Sequence, residues 1–318
     1  MATGLLCEER KLSGRWMCGL SFTWQLYRIM QKERMGMTMY VAGMDMGSYM
    51  SKLLILDQDG KEMVREKENS GVLYGDTAKK LLERGCAKLG IRPEELGRVV
   101  LTGIGSKSVD QNARVVTDVT CQSTACRKLV PGCHTVVDVG GSLTKVIRLD
   151  EDGHVAQFVF SEKCAAGSGR FMQVIARILE IDVEEIGPLS MKGTEPITFS
   201  TGCAVFAESD VITKIGEGET KENILAGMNL AVSGKIVNLV KRVGYAPECV
   251  LTGGAAQNEG LVAAVSDRLQ DRVSQAPEPQ FSCAYGAALV ALEELHYSEA
   301  DGSMPDGDLD AKLGGGEL

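Results

Sequence analysis

Residues 40–52, YVAGMDMGSYMSK, and residues 135–145, TVVDVGGSLTK, decide the fold of this chain. In each stretch an apolar strand pattern runs into an aspartate and a glycine turn, and a lysine follows the turn. The two copies place these residues at Asp45 and Lys52, and at Asp138 and Lys145. A single segment of this kind would be an ordinary hairpin. Two matched copies in one chain predict two similar structural units.

Glycine-rich turns of this kind suit phosphate binding. Without a side chain at the turn, backbone N–H groups can approach phosphate oxygens, and a nearby lysine or hydroxyl can reach the same group. The aspartate of each hairpin is suited to hold a hydrated Mg²⁺. A third turn, Thr252-Gly253-Gly254-Ala255, follows a buried strand pattern, and we expect it on the nucleoside side of a nucleotide. The predicted catalytic residues are Asp45 and Asp138, and the predicted nucleotide-binding residues are Gly47, Ser48, Lys52, Gly140, Gly141, Lys145, Gly253 and Gly254.

The rest of the chain alternates between strand and helix patterns. Apolar runs predict strands in RVVLTGIG (98–105) and CVLTGG (249–254). Apolar residues with a 3.6-residue period predict helices. One begins with a cap at Asp76 and ends at Gly90, and the others cover 171–181, 222–243 and 284–295. The predicted fold class is α/β.

Composition excludes several classes of protein. The net charge of −9 argues against a nucleic-acid binder, which needs a basic surface. No run of about 18 apolar residues occurs, so the sequence predicts no membrane span. The ten cysteines include no C-x-x-C pair and follow no secretion signal, which favours a reducing cytoplasm.

The order of hairpin, second hairpin and TGG turn resembles the actin-like, sugar-kinase-like and Hsp70-like ATPases. Their nucleotide lies in a cleft between two duplicated α/β lobes. Two further segments resemble the BadF/BadG/BcrA/BcrD ATPase family, best known for activators of 2-hydroxyacyl-CoA dehydratases. They are SEKCAAGSGRF (161–171) and STGCAVFAES (200–209), and the resemblance covers residues 39 to 296.

The resemblance implies a metal centre at Cys164 and Cys203. In that family the two cysteines of each subunit of a homodimer together hold one [4Fe–4S] cluster. Such a cluster needs four thiolates, so a chain that offers two must dimerise to complete the set. Both cysteines lie at or just before predicted helix starts, where free N–H groups and the helix dipole stabilise thiolates. The alternative is that both are ordinary buried thiols.

The function implied is that of an ATP-dependent activator, with ATP or ADP, Mg²⁺ and the cluster as cofactors. The homodimer would take an electron from reduced ferredoxin or flavodoxin and pass it at low potential to a partner Fe–S enzyme in the cytoplasm, such as a 2-hydroxyacyl-CoA dehydratase. Glu208 would link nucleotide and cluster, or cap a helix. One alternative is a subunit of a benzoyl-CoA reductase-like complex. Another is a sugar or acyl kinase without a cluster.

Three features depart from the family pattern or stand outside it. Ser142 and Leu143 replace the usual Gln and Asp of the second hairpin, and Tyr49 and Met50 alter the first, so we expect nucleotide binding with slow hydrolysis. The group Cys121, Cys126 and Cys133 matches no metal-ligand spacing, and we interpret these residues as buried thiols.

The predicted domain limits follow from these patterns. Residues 1–38 are interpreted as a gene-model extension or a disordered leader, with the true start at Met37 or Met39. The first ATPase lobe covers 39–133 together with the C-terminal helix 284–297. The second lobe, which carries the cluster cysteines, covers 134–283. Residues 298–318 hold six acidic residues and one lysine and form a predicted disordered tail.

Overall fold

Two five-stranded mixed sheets with the same strand order form the framework of the protein. The computed structural model describes residues 39–109, 113–161, 168–199 and 204–301. The first sheet has the order β3-β2-β1-β4-β5, in which β1 pairs antiparallel with β2 and parallel with β4. Its strands are β1 (Tyr40–Met46), β2 (Met50–Asp57), β3 (Glu62–Asn69), β4 (Arg98–Thr102) and β5 (Arg114–Val115).

The second sheet repeats this topology. Its order is β8-β7-β6-β9-β10, with β6 antiparallel to β7 and parallel to β9. Its strands are β6 (Thr135–Val139), β7 (Thr144–Leu149), β8 (Val155–Phe160), β9 (Cys249–Thr252) and β10 (Val273–Gln275). The predicted duplication of α/β lobes is therefore confirmed.

The duplication extends to the register of the strands and to the turns. Asp45 lies opposite Lys52 between β1 and β2, just as Asp138 lies opposite Lys145 between β6 and β7. The next turn is also repeated: the carboxylate of Asp57 accepts two backbone N–H groups across the β2–β3 turn, as that of Asp150 does across the β7–β8 turn. The acidic turn at 150–154 thus has a structural role that its counterpart at 57–61 shares.

Eight α-helices cover these sheets in the described part of the chain. They are α1 (Tyr74–Leu89), α2 (Asp118–Leu129), α3 (Gly169–Ile178), α4 (Ile186–Ser190), α5 (Ala204–Gly216), α6 (Lys221–Val243), α7 (Glu259–Leu269) and α8 (Ser282–Asp301). Helix α6 is the only described helix long and apolar enough to cross a membrane, but its apolar residues are mostly buried in the core of the second sheet. The apolar composition of α6 is therefore explained by its packing in this core.

Helix α8 joins the two halves of the fold through very close contacts. It packs on β1 and β4 of the first sheet and on α2. A Cβ atom on Gly43 of β1 would clash with the backbone of α8 at Ala284 and Ala288, and one on Gly286 would clash with the carbonyl oxygen of Cys121 in α2. Both positions need glycine because main chain meets main chain there.

Helix α2 is the partner of α8 on the side of the second sheet. Residues 119–126 are all buried, and Val119 and Cys126 share a core with Val136, Ile147 and Val250. The proposed lobe boundary at 133/134 stays a prediction, and α2, which precedes it, packs its apolar side chains on the second sheet.

Several helices and strands of the structure differ from the sequence-based prediction or were not predicted. Helix α1 begins at Tyr74, two residues before the predicted cap, so Asp76 lies in the first turn and caps nothing. Its end at Gly90, which has a left-handed φ of 68°, was predicted correctly. The sequence did not predict α2 or the charged edge strand β3.

We predict that Gly286→Ala lowers the free energy of unfolding by at least about 3 kcal/mol, because the new methyl group would meet the backbone of α2 and α8 would have to move. Gly216→Ala is the control. Gly216 is the last residue of helix α5, and a Cβ atom there would meet nothing within 4 Å. The control should leave stability unchanged or slightly higher. Urea unfolding measures both, and a loss below about 1 kcal/mol for Gly286→Ala would contradict the close packing of the two helices.

Candidate active site

A cleft of about 830 Å³ lies between the two sheets, large enough for a nucleotide. The turns after β1 and β6 both line it and touch each other: a Cβ atom on Gly141 would lie 3.1 Å from the Ser48 hydroxyl. All ten residues predicted for catalysis or nucleotide binding line this cleft; they are Asp45, Gly47, Ser48, Lys52, Asp138, Gly140, Gly141, Lys145, Gly253 and Gly254. The structure thus brings the candidate residues together, while their individual roles stay predictions.

In the first hairpin, Asp45 and Lys52 form an ion pair. The Lys52 ammonium donates to the Asp45 carboxylate at 2.8 Å, and both side chains are about one-eighth exposed. The antiparallel register places the two residues opposite each other, so the pair follows directly from the strand pairing. Its partial exposure toward the cleft leaves both groups able to contact a ligand.

In the second hairpin the equivalent lysine has two carboxylate partners. Lys145 Nζ lies 2.7 Å from Asp138 and 2.7 Å from Asp118, the first residue of α2. Burial alone would lower the pKa of the Lys145 ammonium, but these two carboxylates outweigh burial and hold the pKa well above its ordinary value. Lys145 therefore stays charged and ties α2 to the second hairpin.

A matched pair of glycine turns closes the back of the cleft. Gly103 and Gly253 follow β4 and β9 with left-handed φ angles of 87° and 85°. A Cβ atom on Gly103 would lie 2.6 Å from the Asp45 carboxylate, and one on Gly253 would lie 2.5 Å from that of Asp138. Only glycine admits both this conformation and this approach. Only the second of these turns was predicted from sequence, although the tripeptide LTG occurs at both, at 101–103 and 251–253.

The second hairpin is bonded to the start of helix α3. The backbone N–H groups of Gly169 and Arg170 donate to the carbonyl oxygens of Gly140 and Gly141, at 2.9 and 3.0 Å. Helix α3 in turn contacts α5, which begins at Ala204. Cys164 and Cys203 lie outside the described residues, and the described helices that follow them, α3 and α5, touch one another.

The other described cysteines have the properties of structural thiols. Cys86, Cys121, Cys126, Cys133, Cys249 and Cys283 are all buried and free. Burial raises the pKa of the Cys121 thiol to about 12 and that of Cys133 to about 11. Such groups stay protonated near neutral pH and are poor metal ligands. This agrees with the interpretation made from their spacing.

Two duplicated lobes with an Asp–Lys hairpin each, facing one cleft, define an ATPase of the actin-like architecture. The family model of the BadF/BadG/BcrA/BcrD ATPases matches residues 42–291, and the chain belongs to this family. ATP hydrolysis is accordingly its enzymatic activity.

Relatives of known role align with this chain over nearly their whole length, which supports its membership of the family. The chain is 35% identical to the 2-hydroxyisocaproyl-CoA dehydratase activator of Clostridioides difficile, over 83% of this chain and 98% of that protein. It is 37% identical to the activator of lactoyl-CoA dehydratase of Anaerotignum propionicum, over 80% and 98%. It is also 32% identical to one of the subunits of benzoyl-CoA reductase from Thauera aromatica, over 78% and 91%.

Solved structures confirm the predicted fold. The C. difficile activator with bound ADPNP superposes with a TM-score of 0.79 at 34% identity, covering 85% of this chain and all of that one. A ROK family glucokinase from Streptomyces griseus superposes with a TM-score of 0.51 at 12% identity, covering 80% of this chain and 99% of that one, a likeness of fold alone.

We predict that Lys145→Met destabilises the protein by about 3 kcal/mol at pH 7, because Asp138 and Asp118 would then face each other without a cation. Lys52→Met is the matched comparison in the other lobe and should cost less, since Lys52 holds one carboxylate. Urea unfolding measures both losses. Equal losses would contradict the double pairing of Lys145.

We predict that the effect of Lys145→Met on the free energy of unfolding depends on pH. The raised pKa means that the stabilisation from Lys145 is complete below the ordinary ammonium value of about 10.4 and is lost as the pH rises toward the raised value. The difference in stability between the wild type and Lys145→Met should therefore be constant between about pH 7 and about pH 10, where both carboxylates are ionised, and shrink above it. A difference that already shrinks below about pH 9 would contradict the raised pKa.

Proposed function

We propose that this ATPase is an activator that passes one low-potential electron to a partner Fe–S enzyme, a 2-hydroxyacyl-CoA dehydratase or a comparable reductase. The relatives of the preceding section that are named as dehydratase activators support this role. We further propose a cytoplasmic homodimer in which Cys164 and Cys203 of both subunits hold one [4Fe–4S] cluster, with reduced ferredoxin or flavodoxin as the electron source. When bound there, such a cluster supplies one-electron transfer.

The observation that carries the proposal is the direct bond between the phosphate hairpin and helix α3. A nucleotide held by Gly140 and Gly141 would contact the same two residues whose carbonyl oxygens accept from Gly169 and Arg170. Any shift of the hairpin on nucleotide binding or hydrolysis must therefore reach the start of α3, five residues after Cys164.

In the cleft we assign roles to the hairpin residues. Asp45 and Asp138 would orient a hydrated Mg²⁺, which carboxylates of this kind bind through water. Lys52, Ser48 and the backbone N–H groups of the two hairpins would hold the phosphates, and Gly253 and Gly254 would lie beside the nucleoside. Lys145 would act through its charge and its hold on Asp118, because both carboxylates already occupy its ammonium.

ATP hydrolysis can drive electron transfer to a lower potential only if the protein has two conformations that bind ATP and ADP with different affinities. The lobes around the cleft provide the moving parts, one built on the first sheet with α8 and the other on the second sheet. We take 39–133 with 284–297 as the first lobe and 134–283 as the second. Their closure on ATP would change the position of α3 and α5 relative to a second subunit.

A second candidate is a subunit of a stable reductase complex. The 32% identity to the T. aromatica benzoyl-CoA reductase subunit favours it specifically. Anaerobic purification distinguishes the two possibilities. A coloured homodimer isolated alone supports the activator, and a coloured complex with a different subunit supports the reductase.

We predict that Cys164→Ser and Cys203→Ser each abolish iron binding while ADP binding persists. Each substitution removes two of the four thiolates of a symmetric dimer, too many for water to replace. Iron analysis and visible spectra of anaerobically purified protein, with calorimetric titration of ADP, provide the measurement. Cys133→Ala is the control, because this buried thiol has a raised pKa and should leave the iron content unchanged. Near-normal iron in either serine variant would refute the cluster assignment.

A further inference from the structure

The edge strand β3 of the first sheet carries charged residues on both faces, and the roles proposed above use none of them. Side chains alternate along a strand, so Glu66 and Glu68 share one face. Arg65 and Lys67 share the other. The first face pairs with helix α1 of the same lobe, where Arg84 donates to Glu66 and Glu68 at 2.7 and 2.8 Å. The second face pairs with a segment that leads out of the second sheet.

That segment is the connector, residues 276–281, which joins β10 of the second sheet to helix α8 on the first. The Arg65 guanidinium lies 2.6 Å from the Glu278 carboxylate. Two residues further along each segment, the Lys67 ammonium donates to the Gln280 carboxamide oxygen at 3.2 Å. The connector is therefore tied to β3 at two points, through alternate residues of both segments.

Two further contacts orient Arg65 toward the connector. Glu62, three residues earlier on β3, accepts two hydrogen bonds from the guanidinium at 2.8 Å. The guanidinium carbon also lies 5.0 Å from the centre of the Phe281 ring, within the range of a cation–π contact. Because one planar group makes all these contacts, the geometry of the pair with Glu278 is better defined than that of an isolated surface ion pair.

The other side of the connector is bonded to the glycine turn after β9. The backbone N–H of Gly253 donates to the carbonyl oxygen of Pro279 at 2.8 Å. A Cβ atom on Gly254 would lie 3.7 Å from the carboxamide nitrogen of Gln280. Lys67 and Gln280 both line the cleft, and the bond between them is exposed at its rim. One series of contacts therefore runs from β3 of the first lobe to the turn that we place beside the nucleoside.

We propose that Arg65 and Lys67 latch the connector, and with it the turn at 253–254, to the first lobe, and that this latch slows the release of nucleotide. The inference rests on the ATPase activity of the family and on the position proposed above for the nucleoside, and not on the cluster. Separation of β3 from the connector opens the rim of the cleft, and the two contacts oppose it. Each contact is exposed, so each is weak by itself and is screened by salt. A latch that opens in every turnover requires contacts of this strength.

The test is Arg65→Met, because Arg65 is not among the residues that line the cleft and acts only through the connector. We expect the dissociation rate constant of a fluorescent ADP analogue, measured by stopped flow against excess ADP, to rise about fivefold at low salt. Glu278→Gln should give a similar rise. The double variant should not exceed the larger single effect, because both changes remove the same pair. In about 1 M KCl the ratio of variant to wild type should fall toward one, since salt screens the pair in the wild type too.

Arg84→Met is the matched control on the other face of β3. It removes two ion pairs from the same strand, but both lie within the first lobe. It should leave the dissociation rate within about twofold of the wild type. An unchanged rate in Arg65→Met would overturn the latch. So would an equal rise in Arg84→Met, which would mean a general loosening of β3, or a rise in Arg65→Met that persists in about 1 M KCl, which would mean that the ion pair is not its cause.

Gly254→Leu tests the position of the nucleoside separately. A large side chain beside the nucleoside should raise the ADP dissociation constant at least about tenfold in calorimetry. An unchanged constant would refute the position of the nucleoside, whereas an unchanged dissociation rate in Arg65→Met would refute the latch. The two failures are therefore distinct.

Discussion

The contact of main chain with main chain around helix α8 is the constraint on which the rest of this structure depends. Gly43 admits the helix against the first sheet, and Gly286 admits it against α2, which packs on the second sheet. Because backbone atoms meet at both positions, the packed surfaces have little freedom to slide past each other. Any motion that opens or closes the cleft between the hairpins must therefore preserve this contact.

The two halves are copies in backbone but not in electrostatics. Both place an aspartate opposite a lysine at the first turn and a left-handed glycine against the same aspartate. The second half differs because α2 brings Asp118 to Lys145. One lysine is therefore partly free to contact a ligand, and the other is held by two carboxylates. A duplicated fold acquires one asymmetric nucleotide site in this way, without any change in strand order.

Much of the fold and the composition of the cleft could be predicted from sequence, and the failures have identifiable physical causes. The hairpins were found because glycine, aspartate and lysine recur at the same spacing. Helix α2 was missed because residues 119–126 are buried on all sides, so its small and polar residues show no amphipathic period. Asp118, the second carboxylate partner of Lys145, was missed with it. The charged strand β3 was missed because an edge strand with polar faces lacks an apolar alternation. Gly103 could have been found from the repeated LTG tripeptide.

The bonds from Gly169 and Arg170 to the second hairpin use no side chain at all. In a trans peptide the carbonyl and the following N–H point in opposite directions, so fixing the carbonyl oxygens of Gly140 and Gly141 turns the N–H groups of Gly141 and Ser142 away from α3. The amide dipoles of this turn are thus aligned by helix α3. Such a connection is invisible to a comparison of residue types, because any residue except proline at 169 and 170 could donate the same bonds. A change of side chain at 142 or 143 can therefore alter the chemistry in the cleft and leave the backbone bonds between this turn and α3 intact.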